Sequence, residues 1–303
     1  MHVVIAGATG LIGRALCPAL AQAGHTASAP TRNPSGAPPA LGEAASLVEW
    51  DPRVAGPWED VVSRADAVIN LSGENIGGRR WNDEVKRRLR SSRLDTTRAL
   101  VRARASGGVR GGVFVNASGV GYYGDCGEAP VTEARQPSHD FLGQLCVDWE
   151  GEALAARELG MRVVLMRTSL VLSREGGAMD RMIQPFRLFL GGSMGSGRQW
   201  TPWIHIADTV RLYVHALESA AFEGPVNVAA PNPVRNRDFA AALAIVLKRP
   251  SLVPAPRLAM RLVVGEFADA LLASQRVVPK AAQDAGYEWR YPVLEPALHS
   301  VVG

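Results

Sequence analysis

From His2 to Gly24 the chain reads HVVIAGATGLIGRALCPALAQAG. HVVIAG (2–7) is a short run with almost no polar interruption, the pattern of a strand buried on both faces. LIGRALCPALAQAG (11–24) reads as a helix and closes on Gly24, a residue suited to a helix C-terminal cap. Between the two lie Gly7, Gly10 and Gly13. A strand, a glycine turn and a helix in immediate succession make a dinucleotide-phosphate loop. Gly7 permits the tight turn, Gly10 lets backbone approach a pyrophosphate, and Gly13 allows close helix–strand packing. Thr9, Leu11 and Ile12 belong to the same turn, and the helix N-terminus would hold the phosphates. Pro18 falls inside the helix, where its missing N–H and its ring predict a kink.

Working outward, further strands are expected at TASAPTR (26–32), SLVEW (46–50), AVINLSG (67–73), VFVNASG (113–119) and RVVLMRTS (162–169). Helices are expected at about 82–106 and 140–159. This alternation predicts parallel pairing through right-handed crossovers, a doubly wound parallel α/β sheet. After residue 170 the pattern loosens into the Gly- and Met-rich LSREGGAMDRMIQPFRLFLGGSMGSGRQW, then returns to strand and helix in WIHIADTVRLYVHALES. Residues 224–303 are punctuated by proline. The expected organisation is a dinucleotide-binding domain over 1–169, with 203–220 returning to it. Residues 170–202 and 224–303 form a smaller, interleaved C-terminal domain.

The chain has 303 residues and a formal net charge of +4. Lysine occurs only at Lys86, Lys248 and Lys280, so the positive charge is mostly arginine, a compositional bias more than a nucleic-acid surface. The one basic cluster, KRRLR at Lys86–Arg90, is short and lacks interleaved aromatics, as a solvated helix face does. Cys17, Cys126 and Cys146 are scattered, with no CxxC or Cys/His spacing; this predicts no metal site and a reducing compartment. No apolar run approaches the ~18–20 residues of a membrane helix. The sequence opens directly on a strand pattern rather than a signal peptide. The expectation is a cytoplasmic protein with a small-molecule substrate and no nucleic-acid or membrane partner.

An NAD site normally ends its second strand with an acidic residue, ~20 positions past the glycines, that binds the ribose 2′-hydroxyl. Here that strand ends PTRNP, with Thr31 and Arg32. A guanidinium is a planar donor fork of permanent charge and suits a 2′-phosphate. NADP(H) is therefore the expected cofactor, with a solvated Arg32 as the alternative.

GATGLIG is joined by NLSGENIGGRRW, SSRLDTT, SGVGYYGD, MRTSLVLSREGGAM, PFRLFLGGSMGSGRQWTPWIHIADTV, NVAAPNPVRNRDFA and SQRVVPKAAQDAGYEW. Together, over nearly the full length, these resemble the extended short-chain dehydrogenase/reductase superfamily. Within it they are similar to the atypical "epimerase family protein" branch, which is nucleoside-diphosphate-sugar-epimerase-like. The resemblance implies a Rossmann-type sheet. It places Asp51 opposite the adenine, with a loop cap as the alternative. Leu71 and Ser72 would line the cofactor. Arg93 would reach the phosphates or pair with a neighbouring carboxylate, and Val171 would pack near the nicotinamide. His205 and Asp208 match the element that connects the two domains, with His205 either structural or a proton carrier. A homodimer through a four-helix contact comes from family analogy alone.

Short-chain dehydrogenases use a tyrosine whose phenolate is favoured by a lysine four residues on, with a serine to position the reacting oxygen. Aligned on Tyr123–Gly124, the serine position falls on Gly119, with Ser118 one residue earlier. Aligned on Trp149–Glu150, the tyrosine and lysine positions fall on Leu142 and Cys146. No tyrosine in the chain has a lysine four residues later. Ser118, Tyr122 and Tyr123 are the catalytic candidates that remain. Asp125, Glu128, Glu133, His139 and Asp140 crowd the same crossover, and Arg198 and Arg235 are candidates for an anionic substrate. Two functions compete: an NADP(H)-dependent oxidoreductase or epimerase-like enzyme with unusual acid/base groups, and a non-catalytic NADP(H) sensor.

Overall fold

A computed structural model describes residues 1–108 and 110–302, so Val109 and Gly303 lie outside the described residues. Its centre is a seven-stranded sheet. In chain order the strands are β1 (His2–Ala6), β2 (Thr26–Thr31), β3 (Ser46–Glu49), β4 (Ala67–Asn70), β5 (Val113–Gly119), β6 (Arg162–Thr168) and β7 (Gly224–Val228). Their spatial order is β7-β6-β5-β4-β1-β2-β3, and every pairing is parallel. The chain runs outward from β1 to β3, then returns to β4 and runs outward the other way. That reversal opens a crevice between β1 and β4 at the carboxyl ends of the strands, the place where such sheets bind ligands.

The sequence reading placed residues 224–228 with the smaller unit. They instead add a seventh strand, with Gly224 opposite Val164 and Val228 opposite Thr168. Gly224 and Pro225 masked the strand signal, since proline is tolerated on an edge strand but weakens the pattern.

Helices cover both faces. On one, α1 (Leu11–Gln22) and α5 (Ile206–Glu218) bury Leu16, Leu20, Leu212 and Tyr213 against the sheet. On the other, α2 (Asp83–Ser106) and α3 (Phe141–Leu154) lie beside each other, with Leu100, Ala103 and Ala153 packed on Phe114. Ion pairs Arg90–Asp148 and Arg98–Glu152 join α2 to α3. Despite Pro18, α1 runs uninterrupted; buried Leu16, Cys17 and Leu20 hold it across the missing hydrogen bond.

Helices α4 (Ala178–Arg187), α6 (Asn236–Leu247) and the terminal helix Leu294–Val302 share a further core of Met179, Phe186, Phe239, Leu243 and Leu298. Asp208 ties this part to the sheet. Its fully buried carboxylate accepts the backbone N–H groups of Arg290 (2.7 Å) and Tyr291 (2.8 Å). Helix α7 (Arg257–Val264) and Phe267–Leu272 reach back across the chain, where Phe267 stacks on Trp81 at 5.0 Å.

Candidate active site

The glycine loop fits a dinucleotide diphosphate for steric reasons. Gly7 has φ +83°, and a Cβ there would lie 2.7 Å from the Leu71 carbonyl carbon and 2.9 Å from the Ser72 nitrogen. A Cβ on Gly13 would lie 2.5 Å from Ala8 Cα. Gly10 is less constrained, with the nearest clash at 3.2 Å. Helix α1 has no side-chain cap and no acidic residue in its first turn, so its N-terminal N–H groups, starting at Leu11 and Ile12, are left for an anion. Thr9 is exposed on the same turn. Across the crevice, Ser72 N–H donates to the Asn70 side chain (3.1 Å). The buried Asn70 amide donates in turn to Thr97 and Asn116, both at 2.8 Å. Leu71 and Ser72 are thereby fixed against the glycine turn.

Thr31 is buried at the end of β2 and Arg32 projects into solvent. Beside them Asp51 accepts three N–H groups of Arg53, at 2.7 to 3.0 Å. Those bonds, with a smaller contribution from Arg32, hold its pKa down at about 2. Val171 sits in the short strand Leu170–Leu172, opposite Ile204 and half-buried. Arg93 is buried under the 73–74 turn. It donates to the carbonyls of Leu89 (3.0 Å) and Glu74 (3.1 Å), and its guanidinium lies 5.0 Å from the Trp149 ring centre. Its hydrogen bonds thus go to backbone carbonyls rather than to a carboxylate.

Beneath the tyrosine loop lies a buried polar network. Ser118 donates to Glu150 at 2.6 Å, and Arg167 donates to both oxygens of Glu150 at 2.9 and 2.8 Å. Arg167 also donates to the Tyr123 hydroxyl (3.1 Å), which donates to Asn227 Oδ1 (2.7 Å). Burial alone would lower the Arg167 pKa, but the Glu150 pair outweighs it and raises it. Burial pushes Tyr123 up to about 12. Both side chains are committed to the network. Tyr122 differs: it is half-buried, with its ring centre 3.4 Å from the Arg167 guanidinium. Among the described residues its hydroxyl has no hydrogen-bond partner.

The positions aligned with the missing dyad do converge on this loop. Leu142 packs on Gly121, where an added Cβ would lie 3.1 Å from its methyl group. The Cys146 thiol points at the Gly119 carbonyl (3.7 Å), and burial pushes its pKa up to about 11. Leu142 has no titratable group and the Cys146 thiol stays protonated at neutral pH, so neither replaces the dyad's acid/base. His205 caps α5: Nδ1 accepts the Ala207 N–H (3.0 Å), which leaves Nε2–H to donate to Ser300 (2.9 Å). Burial lowers its pKa to about 4, so it is a neutral structural histidine.

The nearby carboxylates are occupied too. Asp125 accepts the N–H of Gly127 and Ser274, and Asp140 caps α3 through Gly143. Glu133 accepts the N–H of Asn227 and Ala281, and Glu128 pairs with Arg235. Arg235 lies over Trp200, with its own charge offset by Glu128, while Arg198 is exposed. The Glu150–Arg167 pair escaped the sequence reading. Its signal was present, because a charged residue inside the apolar run RVVLMRT must be paired if the strand is buried. Among the described residues no helix is long and apolar enough to cross a membrane, and no cluster could hold a metal ion.

With this geometry in place, residues 3–229 match the model of the NAD dependent epimerase/dehydratase family, and residues 255–301 match a domain of unknown function, DUF1731. The chain belongs to that epimerase/dehydratase family. Among its members, the epimerase family protein SDR39U1 of Bos taurus is 38% identical over 307 residues, covering all of both chains. The epimerase family protein YfhF of Bacillus subtilis is 34% identical over 303 residues, all of this chain and 98% of that protein. A crystal structure of human SDR39U1 (isoform 2) with NADPH superposes with a TM-score of 0.86 at 34% identity, covering 100% of this chain and 99% of that one.

Proposed function

We propose that this family member binds NADP(H) in the crevice between β1 and β4 and transfers hydride to or from a small anionic substrate. It would act as an atypical short-chain oxidoreductase or epimerase-like enzyme without the Tyr-x-x-x-Lys dyad. The observation that carries the cofactor is the glycine cradle, in which side chains at Gly7 and Gly13 would collide with Leu71 and Ala8. The NADPH of the human relative's structure supports the same cofactor. Gly7–Gly13, Leu71 and Ser72 would hold the diphosphate and Arg32 the 2′-phosphate; the nicotinamide supplies the hydride. Tyr122 is the hydroxyl on the tyrosine loop left free to move a proton, and its ring is held against the Arg167 guanidinium. Three buried free cysteines suit a reducing, cytoplasmic setting.

The test is NADPH oxidation across a panel of carbonyl acids and nucleotide sugars. Turnover that falls at least tenfold in Tyr122→Phe with NADPH affinity unchanged supports the proposal. A second reading has its own support, since Ser118, Tyr123, Cys146 and His205 are all committed to structure. It is a cofactor-sensing protein, and it predicts tight NADPH binding with no turnover and no effect of Tyr122→Phe.

A further inference from the structure

Among the described residues two non-glycine positions have positive φ, Phe189 (+61°) and Lys248 (+54°). Each follows a helix end. Phe189 N–H bonds to the Phe186 carbonyl and Leu190 N–H to that of Pro185; Lys248 N–H bonds to Ile245 and Arg249 N–H to Ala244. These are two matched left-handed caps of a kind that ordinarily take glycine. A side chain at such a position is strained, and here neither one is needed for packing, because Phe189 is 60% exposed and Lys248 is exposed.

The two caps are neighbours in space. The Arg249 guanidinium lies 4.8 Å from the Phe189 ring centre. The following segments run together through Val253 N–H to Gly191 O (3.0 Å), Ala255 N–H to Ser193 O (2.8 Å) and Gly195 N–H to Ala255 O (2.9 Å). Leu188, Phe189 and Leu190 are three consecutive large apolar side chains, each about 60% exposed, and exposed Leu252 and Val253 lie on the adjoining segment. Exposed apolar runs of this kind mark an interaction surface.

Charge selects the occupant. Residues 181–207 and 239–265 contain no aspartate or glutamate and together carry Arg181, Arg187, Arg198, Lys248, Arg249, Arg257 and Arg261. Arg257 and Arg261 both pair with Asp269, whereas Arg187, Lys248 and Arg249 have no carboxylate partner among the described residues. A symmetric contact with a second copy would set these cations against themselves. An apolar tip ringed by cations instead complements an anionic lipid surface, with the tip in the acyl boundary and the cations at the headgroups.

We propose that the Leu188–Leu190 and Lys248–Val253 tips form a peripheral docking surface for an anionic membrane. The expectation of no membrane partner rested on the lack of a spanning segment, and a surface that lies on the bilayer needs none. The experiment is flotation of the full chain with vesicles of phosphatidylcholine alone and of phosphatidylcholine mixed with phosphatidylglycerol. The expected result is binding to the mixed vesicles only, reversed by salt. Phe189→Gly removes the ring and relieves the backbone, so it should melt no lower than the parent while losing vesicle affinity by about tenfold. Lys248→Gly should behave the same way to a smaller degree. Failure to bind mixed vesicles, equal binding to both vesicle types, or full binding by a folded Phe189→Gly variant would each overturn the proposal. So would a dimer that Phe189→Gly dissociates in the absence of lipid.

Discussion

Replacing Glu150 by glutamine would leave the Arg167 guanidinium buried beside a neutral amide. The side chains are 4% and 7% exposed, and the pair is bidentate, with Ser118 as a third donor to the carboxylate. Little water can reach the site to take over the lost charge. Removing one member of such a pair costs about 3–5 kcal/mol. For a chain of this size each kcal/mol corresponds to roughly 2–4 °C, so the melting temperature should fall by roughly 10 °C. The double replacement Glu150→Met with Arg167→Met removes the stranded charge and should recover most of that loss. Urea unfolding of the parent, single and double variants measures both effects. A Glu150→Gln variant less than about 1 kcal/mol below the parent, or a double variant no better than the single, would refute the buried-pair reasoning.

Three further outcomes are expected. Gly7→Ala should fold but lose NADPH affinity by at least about tenfold in fluorescence titration, because the new methyl displaces the Leu71–Ser72 turn at 2.7 Å. His205 has a pKa of about 4 in the fold against 6.5 ordinarily, so the unfolded chain takes up its proton first as pH falls. The stability His205 contributes is therefore complete above pH ~6.5 and lost progressively toward pH ~4, by roughly 3 kcal/mol, and His205→Asn should flatten that slope in pH-dependent melting. Burial raises the pKa of Cys17, Cys126 and Cys146, so iodoacetamide should label none of them at pH 8 until the chain is denatured.

The sheet was largely legible because short β-prone segments alternate with helical ones, and six of the seven strands fall within segments read that way. The seventh, GPVNV, was hidden by its glycine and proline and becomes a strand only through pairing with β6. The phosphate loop was legible for a similar reason, since its chemistry is local to seven residues. The tyrosine loop was not. Ser118 and Tyr123 have the right chemical types for catalysis, and only the fold shows them spent on Glu150 and Asn227, residues 32 and 104 positions away in sequence. Arg93 illustrates the same limit: its type suggested an anion, and its hydrogen bonds go to the backbone carbonyls of Leu89 and Glu74.

The central claim is an NADP(H) site built from the glycine cradle and completed by Arg32. Fluorescence titration of the parent and of Arg32→Ala with NADPH and NADH tests it most directly. The parent should bind NADPH at least about tenfold more tightly than NADH, and Arg32→Ala should remove the preference while sparing NADH. Equal affinity of the parent for the two cofactors, or a preference that survives in Arg32→Ala, would contradict it.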